Sequence, residues 1–341
     1  MEAGHRMPEI VIAAPPSAAG ASLFGVIEFF AAANRIITST QQPISLFNLT
    51  LCSLGGEPIK SSEGIAIAVE TALRDISKAD LLYIAPPSIS SRNELILHTR
   101  QWREIVAWLG SEHDRFETIA SHCSGSFLLA QAGLLDGGCA TTAWWLADLL
   151  ATEHPEIQVD PDAIVVQSGK YITGAGTGAY QDLSLELLRQ LAGPSVCRLT
   201  AKYLMADRQR RSQSAYRLDL PAKTDSHEFM SQARLWIKGN LANDFKIEDL
   251  ANALNTHPRT LLRRFQQHAG STPQALVQTM RIERGKVLFE TTELAAHVIA
   301  RRCGYQDESA FHRAFKKHCG LSPREYRLRF GSKSHDLRQT P

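Results

Sequence analysis

Cys123 sits at the centre of one group of residues able to do chemistry. The surrounding segment reads ETIASHCSGSFLLAQAGLL over residues 117–135. A short apolar stretch runs into the cysteine and a helical stretch starts at Gly125, which predicts a strand–turn–helix with the thiol at its tip. Such a turn aims the positive end of a helix at the side chain, favouring a thiolate or a bound carboxylate. Turnover would also need a base and an oxyanion donor. The later segment ATTAW, with Ala143, holds no histidine, and His122 points to the opposite face of its strand. His154 has no motif around it, and Pro86-Pro87, closing the apolar run 80–85, offer no N–H groups. Losing one oxyanion donor costs about 10²–10³ in rate. Ligand contact is therefore the favoured use of Pro86, Cys123, Ser124 and Trp144, with no catalytic residue and no cofactor. The rival readings are a cysteine amidase or hydrolase and an oxidisable thiol sensor. Trp144 or Trp145 can cover a cation, although both also suit a core. The other cysteines, Cys52, Cys139, Cys197, Cys303 and Cys319, show no CxxC spacing, so neither a metal site nor a disulfide framework is expected.

A second group is basic and repeated. LLRRFQQHAGSTPQ (261–274) and FHRAFKKHCGLSPR (311–324) align at an offset of 50, matching Arg263, Phe265, His268, Gly270 and Pro273 to Arg313, Phe315, His318, Gly320 and Pro323. One supersecondary unit is used twice. In the first copy, apolar positions over 247–254 share a helical face, Asn255–His257 form a turn, and Pro258 suits the first position of the next helix. Leu261 and Phe265 bury one side of that helix, leaving Arg259, Arg263 and Gln266 outward. In the second copy Gly304 supplies the turn, Phe311 and Phe315 bury, and Glu308, His312 and Arg313 face out. Residues 273–289 form a joining helix. Each copy is a helix-turn-helix.

The elements that hold these groups differ along the chain. Strand-like runs (8–14, 44–51, 64–69, 80–85, 117–120) alternate with helical ones (20–37, 93–109, 125–132), which predicts a mostly parallel, doubly wound, flavodoxin-like sheet sandwich. After residue 228 strand signals vanish, giving an all-α region. The expected division is 1–205, a polar linker 206–226, a helical domain 227–331 and a flexible tail 332–341. Residues 1–222 carry a net charge of −6 and 223–341 a net charge of +8, as expected if only the second part meets a polyanion. No apolar run of membrane length and no secretory start is read, so a cytoplasmic chain is expected.

These motifs carry two family resemblances. Residues 228–330 resemble the AraC family DNA-binding domain, through Ile299, Ala300, Gly304, Tyr305, Ser309, Phe311, Arg313, Phe315, Gly320, Ser322, Pro323, Tyr326 and Arg327 in the second unit and matching positions in the first. The first turn departs by carrying Asn255 in place of glycine. CSGSFLLAQAGLLDGGCATT, with GVIEF (25–29) and ITGAGTGAYQDLSL (172–185), is similar to the PfpI protease-like, glutamine amidotransferase-like superfamily. Their combination resembles the GlxA-type transcriptional regulators over nearly the whole chain. The resemblance implies base reading by Arg259, Leu262 and Arg263 in one unit and by Glu308, Ser309, His312 and Arg313 in the other. It implies that Glu28 faces Cys123, where it is a fifth expected ligand contact able to take an ammonium or to share a proton with the thiol, and that Asp182 belongs to the late glycine-rich turn and helix. It further implies double-stranded operator DNA as partner, a small amino-acid-derived or quaternary-amine effector, and a homodimer formed through the first domain.

Overall fold

A computed structural model describes residues 6–89, 91, 94–95, 101–207, 210, 212–218 and 228–331. The chain divides into two compact units, Met1–Gln213 and Ser214–Pro341. The expected tail 332–341, residues 208–209, 211 and 219–226 of the expected linker, and residue 227 lie outside the described residues.

The first unit is built on strands β1 (Glu9–Ala13), β2 (Asn48–Ser53), β5 (Thr71–Ala72), β6 (Ala79–Ile84), β7 (Phe116–His122), β10 (Val165–Ser168) and β11 (Tyr171–Gly174), in the order β10-β11-β7-β6-β1-β2-β5. All neighbours are parallel except β10 and β11. The short strands β3 (Ile59–Lys60) with β4 (Ala66–Ile67), and β8 (Cys139–Ala140) with β9 (Gln158–Val159), form two small ribbons. Side chains alternate between two buried faces, as the apolar runs require. Val11, Leu82, Ile84 and Ile119 pack with helices α2 (Arg103–Glu112), α3 (Gly125–Gln131) and α4 (Ala147–Glu153). Ile10, Ile12, Leu81, Tyr83, Ala120 and Ile172 pack with α1 (Gly20–Ser39) and α5 (Tyr180–Tyr203). The sheet is thus doubly wound, as the alternation predicts.

Two expectations shift. The helix read over 93–109 is regular over Arg103–Glu112, and residues 93 and 96–100 of it lie outside the described residues. Helix α1 is long and apolar enough to cross a membrane by composition, against the reading of no such run. Its Leu23, Val26, Phe30, Ala33 and Ile37 bury against the sheet and α5, which accounts for its hydropathy.

The second unit contains α6 (Glu228–Asn240), α7 (Ile247–Ala253), α8 (Pro258–Ala269), α9 (Pro273–Thr291), α10 (Ala296–Arg302), α11 (Glu308–Cys319) and α12 (Pro323–Phe330). It has two cores. Phe229, Ile237, Leu250, Leu261 and Phe265 form one, and Ile299, Phe311, Phe315 and Tyr326 form the other. Helix α9 serves both, giving Leu276 and Met280 to the first and Ile282 and Phe289 to the second. The repeat is repeated local grammar too. His257 and Asp307 cap α8 and α11, left-handed Gly270 and Gly320 end them, and Thr272-Pro273 and Ser322-Pro323 start the helices that follow.

Candidate DNA-reading helices and the cysteine elbow

Helices α8 and α11 each bury one stripe and expose another. In α8, Leu261 and Phe265 are fully buried, whereas Arg259, Leu262, Arg263 and Gln266 are exposed at i, i+3, i+4 and i+7. These four share a face, and the large apolar Leu262 is 44% exposed within it. Among the described residues no ion pair engages Arg259 or Arg263. Their neighbour Arg264 turns inward over the Phe229 ring, 4.7 Å from its centroid. In α11, Phe311 and Phe315 are buried, Glu308, Ser309 and Arg313 are exposed, and His312 is half-buried. This face is partly self-paired: His312 lies 3.5 Å from Glu308, and Arg313 lies 4.0 Å from Asp307. Asp307 also accepts the Ser309 and Ala310 N–H groups as the helix cap. All seven expected reading residues therefore lie on the two helices that the repeat singles out.

The elbow is formed as read, but closed. Cys123 has a φ of +53°, the strained backbone of a sharp turn between strand and helix. Its N–H donates to the carbonyls of Gly174 and Ala175 at 3.0 and 2.7 Å. Helix α3 begins so close to β7 that a Cβ on Gly125 would stand 1.8 Å from the Ser121 hydroxyl and 3.5 Å from Pro86. Pro86 is buried, with its carbonyl accepting from the Ala19 N–H at 2.9 Å, and the buried Ser124 hydroxyl donates to the Pro87 carbonyl. Cys123 is 6% exposed, and its Sγ lies 3.8 Å from the Thr177 hydroxyl. Burial pushes its thiol above the ordinary range, and the bonds from Thr177 and Ser124 only partly oppose this. The direction is opposite to the lowering expected of a helix start. A raised pKa disfavours the thiolate that nucleophilic or redox duty needs.

Several neighbours differ from expectation or sharpen it. Glu28 does not face Cys123. Ser22, Val26, Phe29 and Phe30 take the inner side of α1, which leaves Glu28 exposed and paired with Arg35. The α1 residue reaching the elbow region is Ser22, whose hydroxyl is 3.1 Å from His122 Nε2. His122 lies on the face opposite the thiol, as read: it is buried against Tyr83 (3.2 Å to Nδ1) and the Thr177 carbonyl (3.2 Å to Nε2), and burial pushes its pKa down to about 3. His154 instead lies 3.4 Å from Glu156. Asp182 starts α5 as expected and pairs with Arg210. Trp145 packs on the core, while Trp144 is half-buried, and its N–H donates to Gln213 Oε1 at 3.0 Å.

A cleft of about 550 Å³ opens at the carboxyl end of β1 and β2, between Pro15–Ser17, Ser53–Gly55 and α2. Cys123 does not line it. Glu57, Lys60, Arg74 and Glu104 do, with Arg74 and Glu104 paired at 3.1 Å. The cleft floor is joined to the elbow through one loop: Ser88 N–H donates to Ser17 O at 2.9 Å, and Pro87 receives the Ser124 hydroxyl. Sequence reasoning missed this cleft, Ser22 and Gln213. All come from loops or small polar residues whose burial leaves no periodic signal.

Comparison with known proteins fits both halves. A helix-turn-helix domain model matches residues 250–329, and the DJ-1/PfpI family model matches residues 25–190. The chain is similar to the HTH-type transcriptional regulator CdhR of Pseudomonas aeruginosa, with 26% identity over 89% of this chain and 88% of that one. That single alignment spans both units. The chain thus joins a DJ-1/PfpI domain to an AraC-type helix-turn-helix domain, and its full-length relatives are HTH-type transcriptional regulators. This regulator is also similar to GbdR, another HTH-type transcriptional regulator of Pseudomonas aeruginosa, with 22% identity over 83% of this chain and 75% of that one. Among solved structures, a THiJ/PfpI family protein from Pseudomonas syringae is 18% identical, covering 73% of this chain and 90% of that one at a TM-score of 0.49.

Proposed function

We propose that the regulator grips operator DNA with α8 and α11 in successive major grooves, under the control of a small metabolite held at the carboxyl end of the first unit's sheet. The exposed stripe Arg259, Leu262, Arg263 carries this reading: two arginines without an ion pair among the described residues, and an apolar contact, on a helix whose other side is buried. Arginine suits guanine O6 and N7, Leu262 a thymine methyl, and Glu308 a cytosine N4 amine, with Ser309, His312 and Arg313 beside it. Two such helices on one joining helix suit grooves about one turn, roughly 34 Å, apart. The effector site is the end of the sheet shared by the 550 Å³ cleft and the elbow residues Pro86, Cys123, Ser124 and Trp144. Its lining carries both signs of charge, as a small zwitterion requires. The regulator acts in the cytoplasm as a homodimer that places paired helices on repeated half-sites.

The test is a gel shift with Arg263→Ala and Arg313→Ala. Each loses about 1–3 kcal/mol of discrimination at its own base pair, roughly a 5- to 150-fold fall in affinity for the preferred sequence. Wild-type affinity and preference in the double variant would refute the assignment.

A further inference from the structure

The composition of residues 206–218 reads as linker, yet Gln213 is 3% exposed. Every polar atom of its amide is engaged in the first unit. Oε1 accepts from the Trp144 N–H at 3.0 Å, and Nε2 donates to the Thr142 carbonyl at 2.9 Å and the Ala163 carbonyl at 3.2 Å. Its backbone N–H donates to the Asp162 carbonyl at 2.9 Å. Burying an amide carries a desolvation cost that an apolar anchor would avoid, and its bonds are directional. A glutamine here therefore specifies register, where mere attachment could be apolar.

What it registers is the loop behind the elbow. The Thr142 hydroxyl donates to the Cys123 carbonyl at 2.6 Å, and the Ser126 hydroxyl of α3 donates to the Thr141 carbonyl at 2.7 Å. Two hydrogen bonds, through Thr142, connect Cys123 to Gln213. The next residue, Ser214, opens a 3₁₀ turn, Ser214–Tyr216, that belongs to the second unit. Ala215 is buried in that unit's second core, and the Arg217 carbonyl accepts from the buried Lys286 ammonium of α9, the helix that joins the two DNA-reading motifs. One peptide bond separates the residue fixed behind the elbow from the segment fixed to the DNA-reading helices.

We propose that Gln213 is the positioning residue that couples the elbow to DNA binding. A shift of the 141–144 loop must carry Gln213 with it or break its hydrogen bonds, so the loop and the following segment share one equilibrium. This rests on the DNA-binding reading above. Coupling is reciprocal, so DNA must report back to the elbow, and no effector is needed to see it.

The experiment uses the full chain and a duplex that it selects from a random pool. Hydrogen exchange is followed at the Cys123 and Thr141 amides, neither of which donates to Gln213. In the wild type the duplex changes their exchange rates about fivefold or more, the low end of ordinary coupling. Gln213→Ala, and Gln213→Met, which fills the same space without polar atoms, bind the duplex with the change reduced below about twofold. A wild type that binds with unaltered exchange overturns the coupling alone, as does a variant that keeps the full change or is folded but cannot bind. Failure to enrich any duplex overturns the DNA-binding reading, and the coupling with it.

Discussion

His122 and Cys123 are neighbours at the end of one strand, and their environments set opposite demands on protons. The Thr177 carbonyl can only accept, so Nε2 carries the imidazole proton and Nδ1 accepts from the Tyr83 hydroxyl. With its pKa near 3 in the folded chain and near 6.5 unfolded, His122 binds fewer protons folded than unfolded between those values. Stability is therefore full above about pH 6.5 and falls as pH drops toward 3, by up to roughly 1.4 kcal/mol per pH unit. His122→Asn should flatten that slope by one proton in urea titrations at pH 6, 5 and 4, whatever its effect on stability at pH 7. An unchanged slope would mean that His122 does not stay neutral. The cysteine turn was legible because a strand, a tight turn and a helix each leave a pattern. The glutamate was not. Glu28 and Ser22 are six residues apart on one helix, and only the packing of Val26, Phe29 and Phe30 decides which of them faces inward.

At the scale of elements, the two helix-turn-helix motifs solve one turn with different residues. Asn255 has a φ of +48° and Gly304 a φ of +80°. The first is exposed, and asparagine tolerates the left-handed region. The second has no room for a side chain: a Cβ there would stand 2.2 Å from the Leu241 carbonyl oxygen. Gly304→Ala should combine the left-handed penalty of about 1–2 kcal/mol with that collision, lowering stability by more than about 2 kcal/mol. Asn255→Gly should change it by less than about 1 kcal/mol. Chemical denaturation of the full chain measures both, and equal losses would show that the turns are equivalent after all. The repeat was readable because both copies keep the same caps and buried phenylalanines. The segment 207–217 was not, because its polar composition is that of a linker. The burial of Gln213 and Ala215 follows from partners far away in sequence, Thr142 and Ala163 for one and the second core for the other.

For the whole molecule, charge separates the labour of the two units. The basic segment 223–341 and the acidic segment 1–222 would oppose each other on a polyanion, so phosphate contacts must fall on the second. Not every cation there is available. Arg281 lies over Tyr305 and donates to the Asn243 carbonyl, and Arg327 lies over Phe289, so both are spent on the fold. The exposed Arg301 and Arg302 of α10, and Lys316 and Lys317 in the last turn of the second reading helix, suit phosphates. Each phosphate contact contributes about 0.9 to the slope of log affinity against log salt. Lys317→Ala should lower that slope by about 0.9 while weakening all sequences alike, the reverse of the base-specific loss expected from Arg263→Ala. Lys78→Ala, equally exposed but in the acidic unit, should leave the slope where it was. If removing Lys78 flattened the salt dependence as much as removing Lys317, the first unit would have to touch the duplex. The charge difference along the chain would then no longer mark which part reads DNA.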